Sequence, residues 1–322
     1  MPMRLGGLGL RSAARTAQAA YWASWADALP MLKARLPDLA DRAVQILDGG
    51  QLSGTCLDEV MAAARLLDSE GFLERPTFAA LAGGARPPKP EKAEGAERGE
   101  WPHGWQFFAA STREHHFRRS VVLPGMKPAE QAHLRSHSGL HASSVLLGAP
   151  TSKDFEIDPT DFRTLVLERL GLPLALADVV CEGCGGALDP LGRHRGACPR
   201  SGRLKLRAKP LESAMAAVCR EAGASVKTEV RLRDLNVQVP VTDARRVDVL
   251  ADHLPCRHGR QLAIDVTLRS PLTTLGEPRA RAAVEDGAAA SDARDDKEAK
   301  YAELVRARRC ALVVVAIETG GR

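Results

Sequence analysis

Four potential metal ligands lie within one short segment of low apolar content, CEGCGGALDPLGRHRGAC, residues 181–198. Cys181 and Cys184 form a C-x2-C pair, and His194 and Cys198 form an H-x3-C pair after nine intervening residues. Two thiolates three positions apart can bind one tetrahedral zinc ion from a tight turn, and the second pair can complete its coordination. Because four protein ligands leave no open position, the pattern predicts a structural zinc site and not a catalytic one.

Two aspartates in consecutive strand-like stretches form a second candidate site. Asp248 lies between Val247 and Val249 in ARRVDVLADHL, so we expect it to point away from a face that the valines share. In QLAIDVTL, Asp265 and Thr267 alternate with the apolar residues and should occupy the opposite face. Two carboxylates on one side of neighbouring strands could bind Mg²⁺ or Mn²⁺, which supports attack of water on a phosphodiester.

A predicted helix over residues 291–308 could add lysines to this site. Lys297, Lys300, Tyr301 and Leu304 share one face of that helix, and Leu304 should hold the face against the sheet. A lysine there would orient or deprotonate the attacking water and offset charge in the transition state. The alternative is structural, since aspartates in strands often mark edges or turns and helical lysines are usually solvated.

The elements that must position these residues change along the chain. Residues 12–82 have alanine-rich helical periodicity, whereas residues 83–100 contain nothing to bury and predict a linker or disordered loop. Further helices are predicted at 158–172 and 211–223. From residue 225, the stretches SVKTEVRL, ARRVDVLADHL, RQLAIDVTLRS and CALVVVAIETGG predict four strands, with the helix 291–308 between the third and the fourth. This order predicts an α/β fold.

Charge is concentrated around the cysteine segment. The chain has 322 residues and a net charge of +5. Residues 181–210 hold seven basic and two acidic residues, and this local net charge of +5 equals the net charge of the whole chain. Such a block attracts phosphate backbones, although a solvated basic turn is the alternative. The predicted nucleic-acid-binding residues are Arg193, Arg195, Arg200, Arg203, Lys205 and Arg207.

Composition also limits the compartment. Seven cysteines without a regular spacing argue against a secreted disulfide framework and favour a reducing, intracellular location. No apolar run approaches the roughly 20 residues that cross a bilayer, so we expect no membrane association. The arginine-containing, acid-free residues 1–26 leave organelle import as a minor alternative. Five histidines have no recognised ligand spacing, and we expect them at the surface or in contact with RNA: His115, His116, His133, His137 and His141.

Seven motifs resemble, in a consistent order, the C-terminal third of the polyprotein of non-LTR retrotransposons that carry a restriction-like endonuclease. They are RSHSGLHASSVLLGAPT, FRTLVLERLGLPL, the C-x2-C…H-x3-C segment, R-x-x-D ending at Asp248, LAIDVT, K-x-x-K-Y ending at Tyr301, and VVVAIETGG. The N-terminal MRLGGLGLRSAARTAQAAYWASW is similar to the region that follows the reverse-transcriptase thumb in such polyproteins.

The resemblance implies a PD-(D/E)xK nuclease domain with a mixed central sheet flanked by helices, preceded by a CCHC zinc module. Asp248 would fill the first acidic position and Asp265 the second, while Lys297 or Lys300 would supply the lysine that Thr267 replaces. Val247 replaces the proline of the family pattern, and LKLRAKP lacks the histidine of its Arg-His pair. Glu229 and Glu318 are weaker candidates for supporting acids.

The resemblance also implies a domain order and a function. The predicted regions are a post-thumb helical region (1–82), a linker (83–100), a connector with helices (101–180), the zinc module (181–200) and the nuclease domain (201–322). We expect a nuclear enzyme that nicks DNA for target-primed reverse transcription. Its partners would be DNA, element RNA and the reverse-transcriptase portion of a parent polyprotein.

Two other functions are compatible with parts of the sequence. No xADD polymerase motif is present and the chain ends soon after its last predicted strand, so we expect a fragment of a longer element. A catalytically inactive nucleic-acid-binding remnant with a structural zinc site is therefore the main alternative. An oxidoreductase using C-x-x-C fits poorly, because no strand and helix flank Cys181 in a way that would lower a thiol pKa.

Overall fold

The structure is a computed structural model that describes residues 1–73, 75–88, 103–150, 153, 156–174, 180–201, 203–235 and 237–322, without the side chains of 201–205. Most of the predicted linker, residues 89–100, lies outside the described residues. Contacts divide the chain into two compact units. The N-terminal unit comprises Met1–Pro2 and Leu8–Gly125, and the C-terminal unit comprises Met3–Gly7 and Met126–Arg322.

The N-terminal unit is helical. Its helices are α1 (Ala13–Arg35), α2 (Pro37–Gly49), α3 (Cys56–Ser69), α4 (Phe78–Ala82) and α5 (Trp105–Phe117). The fully buried Trp22 makes edge-to-face contacts with Phe72 and Trp105, at ring-centroid distances of 5.5 and 5.9 Å. The start of the predicted connector therefore packs into the helical core rather than with the residues that follow it.

The C-terminal unit begins with short helices. These are α6 (Pro128–Ser136), α7 (Ser144–Leu147), α8 (Pro159–Arg169) and α9 (Arg193–Ala197). The predicted capped helix is observed as α8, where the Asp158 carboxylate accepts a hydrogen bond from the Thr160 amide at 2.8 Å. Across the described parts of both units, every helix is too short or too polar to span a bilayer.

A four-stranded mixed sheet forms the centre of the C-terminal unit. Its strands are β1 (Ser225–Arg231), β2 (Arg246–Asp252), β3 (Gln261–Arg269) and β4 (Cys310–Glu318), and they lie side by side in that order. β1, β2 and β3 are antiparallel, and β4 is parallel to β3. All four predicted strands are confirmed, and the unit is of the mixed α/β class.

Helices cover both faces of this sheet. α10 (Arg203–Glu221) contributes the buried Ala216 and Cys219 to a core that also contains Ile264 and Val266 of β3. On the opposite face, the connection from β3 to β4 contains α11 (Ala288–Lys300) and α12 (Ala302–Val305). Parallel pairing of β3 and β4 requires this kind of crossover connection.

Two predicted helices differ from those observed. α10 begins at Arg203, well before the predicted start at residue 211, and it includes Pro210. The predicted helix 291–308 is instead two helices that are separated at Tyr301. The ring of Tyr301 is fully buried and its hydroxyl donates to the Arg246 carbonyl at 2.5 Å, so the side chain is held at the sheet where the helix breaks.

The expectation of surface histidines is wrong for His137. Its side chain is buried, as are those of the adjacent Ser136 and Ser138. The ring of His137 lies 4.4 Å from that of His133, and its Nδ1 is 3.0 Å from the His133 carbonyl. His133 Nε2 is in turn 2.7 Å from the Glu168 carbonyl, so His133 links α6 to α8 and the ring of His137 packs against it.

Candidate metal centre and acidic site

The four predicted zinc ligands converge in the folded chain. One ligand atom from each of Cys181, Cys184, His194 and Cys198 lies within 4.8 Å of the others. The Cys181 and Cys198 sulfurs are 3.9 Å apart, and Cys184 Sγ lies 3.2 Å from His194 Nε2. A tetrahedral ion with metal–sulfur distances of about 2.3 Å needs sulfurs roughly 3.8 Å apart. This Cys/His cluster could therefore hold a metal ion such as zinc.

The turn that carries the first two ligands is closed by the two glycines that follow Cys184. Gly185 adopts a left-handed conformation with φ of 70°, and its amide donates to the Cys181 carbonyl at 2.8 Å. At Gly186 a Cβ atom would lie 3.1 Å from a His194 ring carbon and 3.2 Å from Cys184 Sγ. The absence of a side chain at both positions lets the backbone close around the sulfurs.

Backbone groups also stabilise charge on the cluster. The amide of Gly186 donates to Cys184 Sγ at 3.4 Å. The amides of Cys184 and Gly183 lower the pKa of the Cys181 thiol to about 6. Because the thiolate is the metal-binding form of cysteine, these amides favour the form of Cys181 that a zinc ion requires, whereas burial and the neighbouring thiols raise the pKa of Cys184.

His194 is oriented from both sides. Its amide and that of Arg193 donate to the Asp189 carboxylate at 2.8 and 3.2 Å, which fixes the first turn of α9. Its Nδ1 lies 3.0 Å from the carbonyl of Thr274, in the loop after β3. With a proton on Nδ1, the ring donates to that carbonyl and presents Nε2 to the cluster.

The predicted basic residues are distributed around this cluster. Arg200 and Arg207 are exposed, whereas Arg193 and Arg195 are half-buried. The side chains of Arg203 and Lys205 lie outside the described residues. The structure therefore leaves two of the predicted arginines, Arg200 and Arg207, largely open to solvent.

Asp248 and Asp265 lie where β2 and β3 separate. Strand pairing runs from Ala251–Leu262 to Val249–Ile264, and the same register would next bring Asp248 opposite Asp265. There the backbone pairing stops, and Asp248 Oδ2 instead accepts a hydrogen bond from the Val266 amide at 2.7 Å. The two predicted acidic residues are thus brought together where the pairing of β2 with β3 ends.

The expected alternation around Asp248 is not observed. Val249 packs in the core beneath α10, but Val247 packs in the cluster that contains Tyr301 and Leu304. Glu229, which the register of β1 and β2 places opposite Asp248, has a positive φ of 54°. The expectation that both valines share a face holds only for a regularly pleated strand. It fails here because the backbone is irregular at this position.

The acidic residues occupy different environments. Asp265 is 1% exposed and forms an ion pair with Lys297, whose Nζ lies 2.6 Å from Oδ2. Burial raises the pKa of Asp248 to about 6, and the carboxylates of Asp265 and Glu212 act in the same direction. The site therefore combines one carboxylate paired with a lysine and a second that is easily protonated.

Lys300 lies beside the same site. Its Nζ donates to the Tyr301 hydroxyl at 2.8 Å, and partial burial of the ammonium group together with Lys297 lowers the pKa of Lys300. Burial and the Asp265 carboxylate raise the pKa of Tyr301, so its hydroxyl stays protonated. α11 thus directs both predicted lysines towards the aspartates.

Arg245 fixes the junction of α11 and α12. Its guanidinium group forms ion pairs with Asp243 at 2.7 Å and Glu303 at 2.8 Å, and it donates to the carbonyl of Lys300. Arg245 directly precedes β2, so these contacts tie the lysine-bearing helix to the strand of Asp248. The sequence motif ending at Asp248 did not indicate this role.

The two glutamates predicted as supporting acids differ in burial and in their contacts. Glu318 is buried, and its Oε1 accepts hydrogen bonds from the amides of Ala289 and Ala290 at 3.0 and 3.2 Å, which stabilises the start of α11. Glu229 is exposed and lies 3.4 Å from Lys209. Glu318 thus supports the site through the position of α11.

Comparisons with known proteins do not assign this site. Neither protein-family models nor curated proteins gave a match to the chain. The chemistry of the site is therefore inferred from its own residues.

Proposed function

We propose that this chain is a metal-dependent DNA endonuclease, similar to the restriction-like endonucleases of non-LTR retrotransposons, in which a CCHC zinc module precedes a PD-(D/E)xK-type domain. The observation that carries the proposal is that Asp248 and Asp265 lie next to each other where the pairing of β2 with β3 ends, with Lys297 Nζ 2.6 Å from Asp265 Oδ2. Two carboxylates and a lysine on adjacent elements are the groups that hydrolysis of a phosphodiester would use.

The donor set suits a divalent cation. Asp248 and Asp265 offer carboxylate oxygens, which Mg²⁺ and Mn²⁺ prefer to nitrogen or sulfur ligands. When bound, such an ion would polarise the phosphate and lower the pKa of a water molecule. Asp248 must be ionised to contribute, and its pKa of about 6 leaves it mostly ionised at neutral pH.

The lysines would act on charge and on the water. The Lys297 ammonium group would stabilise charge that develops on a phosphate next to Asp265, because the two side chains already touch. Lys300, whose pKa is lowered, is the better candidate for accepting a proton from the attacking water. Its hydrogen bond to Tyr301 would hold it in place.

The Cys/His cluster would be structural in this proposal. Zinc bound there would stabilise a segment that lacks an apolar core, and the exposed Arg200 and Arg207 would contact the nucleic-acid backbone. The same proposal assigns the chain to the nucleus, with DNA, element RNA and the reverse-transcriptase portion of a parent polyprotein as partners.

One observation favours the second candidate, an inactive nucleic-acid-binding remnant. Asp265 is 1% exposed and already neutralised by Lys297, so a cation would have to displace or share that ion pair. In a remnant, this pair would persist for stability alone.

Cleavage chemistry separates the two candidates. Supercoiled plasmid is incubated with the protein with and without Mg²⁺ or Mn²⁺, and the nicked product is offered to a DNA polymerase with labelled nucleotides. The proposal predicts metal-dependent nicked circles whose 3′ ends are extended, since target priming requires a free 3′-hydroxyl. DNA binding without nicking in either metal would support the remnant.

A further inference from the structure

A groove of about 570 Å³ lies between the Cys/His cluster and the end of β3. Its walls come from the end of α9 and the residue Pro199 after it, the last residues of β3, the loop after β3, and α11. The groove is lined by Ala197, Pro199, Thr267, Arg269, Thr274 and Arg279, among others. The Thr274 carbonyl also lies 3.0 Å from His194 Nδ1. This contact joins the loop after β3 to α9 beside the Cys/His cluster.

Two arginines in this groove differ in how their charge is compensated. Arg269 pairs with Asp296 at 2.6 Å. In the part of the chain that the structure describes, no carboxylate oxygen lies within 4.0 Å of the Arg279 guanidinium group. Its Nε donates to the Ser270 carbonyl at 2.9 Å, and its two terminal nitrogens have no hydrogen-bond partner among the described residues. Burial and the charge of Arg269 lower the pKa of Arg279, and the carboxylates of Asp292 and Asp296, which act from beyond contact distance, offset this only in part.

The backbone around Arg279 is well fixed. Its amide donates to the Pro271 carbonyl at 2.9 Å, and Leu272 pairs with Pro278 in a short antiparallel bridge. Leu272 is 2% exposed and packs with Ala132 and Ala282. A guanidinium group held by its Nε on such a loop can present both terminal nitrogens to an anion with little loss of side-chain entropy.

The groove adjoins the acidic site. Thr267 is two residues beyond Asp265 on β3, a distance of about 6.6 Å along a strand, and alternation places both on one face. Asp296 precedes Lys297 on α11. An anion bound in the groove would therefore lie close to a phosphate that reacts at the aspartates.

From these observations we propose that the groove binds a backbone phosphate of the nucleic-acid strand that is cut, and that Arg279 is its positioning residue. The inference rests on the proposed function and adds to it the contact that sets the strand in register with the acidic site. Planar guanidinium groups bind phosphate through two parallel hydrogen bonds, and the hydroxyls of Thr267 and Thr274 can add donors.

The test measures DNA binding separately from cleavage. Affinity for a labelled duplex oligonucleotide is measured across a range of salt concentrations, without added Mg²⁺ or Mn²⁺, for the wild-type chain, Arg279→Gln and Arg279→Lys. Arg220→Gln is the matched control, since Arg220 is exposed near the end of α10 and carries the same charge. Circular dichroism and the urea midpoint establish that each variant is folded.

We expect Arg279→Gln to weaken binding several-fold and to reduce the slope of log affinity against log salt by about 0.9, the value for one phosphate contact. Arg279→Lys should restore the slope, whereas Arg220→Gln should match the wild type. Equal affinity and slope in Arg279→Gln and Arg220→Gln would overturn the inference, and so would a wild-type chain that binds no DNA. If the variants show the expected changes in DNA binding but the wild type nicks no plasmid, the proposed endonuclease activity is contradicted and the phosphate contact of Arg279 is not.

Discussion

The buried charge of Asp265 is balanced by the side chain of a single residue, Lys297. Their ion pair at 2.6 Å combines a side chain of 23% exposure with one of 2%. Removing one partner of a buried pair leaves an uncompensated charge, which costs far more than replacing both partners by neutral groups. Each of the two side chains therefore requires the other in the folded state, whether or not the site is catalytic.

A double-mutant cycle tests this dependence. We expect Lys297→Met to lower the free energy of unfolding by roughly 3 kcal/mol, because Asp265 is then buried without a counter-ion. Asp265→Asn combined with Lys297→Met should recover most of that loss. Urea unfolding of the wild type and the three variants measures both values. Additive losses in the double variant would contradict the close coupling of the pair.

Asp189 illustrates a residue whose role is visible in the fold and not in the spacing of the ligands. Its carboxylate accepts hydrogen bonds from the amides of Leu191, Arg193 and His194, and so fixes the start of the short helix α9, on which His194 is the second residue. The sequence pattern identified the four ligands but not this support, because an aspartate in a turn has many common uses.

Loss of Asp189 should weaken zinc binding. We expect the wild-type chain to bind one zinc ion, and Asp189→Ala to bind it at least tenfold more weakly, as is usual when a ligand loses its outer support. Competition with a chromophoric chelator measures the affinity, and Glu182→Ala, an exposed acid in the same segment, is the control. Equal zinc affinity in the two variants would show that α9 is positioned without Asp189.

Among the secondary-structure elements, α11 is the helix that places Lys297 and Lys300 beside the sheet. Glu318 stabilises the first turn of this helix. Glu318 Oε1 accepts two amides there, of Ala289 and Ala290. Glu318→Ala should destabilise the fold by about 1–3 kcal/mol, because one buried and one partly buried amide lose their acceptor. Glu318→Gln keeps an acceptor and should retain nicking. The urea midpoint and the nicking rate check these outcomes, and loss of nicking without loss of stability in Glu318→Gln would make this side chain catalytic.

The strands were easier to predict than the helix ends. Apolar alternation in QLAIDVTL correctly separated Ile264 and Val266 from Asp265, because β3 is regular. The same reasoning failed at Val247, where the strand departs from regular pleating at Asp248. Helical periodicity could not reveal that the predicted helix would be interrupted at Tyr301, where the side chain is hydrogen-bonded to Arg246, a residue remote in the sequence.

At the scale of the whole molecule, polar groups join the segments before the sheet into one unit. The Arg169 guanidinium donates to the carbonyls of Met3, Gly7 and Ala142. The Gly320 amide, after the last strand, donates to Ser136 Oγ at 3.0 Å. Sequence reasoning could not find these contacts because they join residues far apart in the chain and follow no periodic pattern.

The buried His137 should make stability depend on pH. Burial, with the charge of His133 and Arg169 nearby, lowers the pKa of His137 to about 3, and burial also lowers the pKa of His133. Glu168, whose pKa is raised, and Arg193 are the other ionisable groups near this pair. Because the unfolded chain takes up a proton near pH 6.5 and the folded chain does not, the contribution is complete above that pH and falls as pH decreases.

Urea unfolding at two pH values measures this contribution. Between pH 7.5 and 5.5 the wild type should lose about 1.4 kcal/mol more than His137→Gln, which keeps a hydrogen-bonding side chain that cannot titrate in this range. His141→Gln, in the same segment, serves as the control for removal of a histidine. An identical pH dependence in the wild type and His137→Gln would contradict the assignment.

The central claim is that Asp248 and Asp265 form a site for metal-dependent phosphodiester cleavage. The most direct test is the initial rate of plasmid nicking in Mg²⁺ or Mn²⁺ for the wild type, Asp265→Ala and Asp295→Ala, an exposed acid on α11 that serves as the control. We predict nicking by the wild type and Asp295→Ala, and none by a folded Asp265→Ala that still binds DNA. Equal nicking by Asp265→Ala, or wild-type binding without nicking, would contradict the claim.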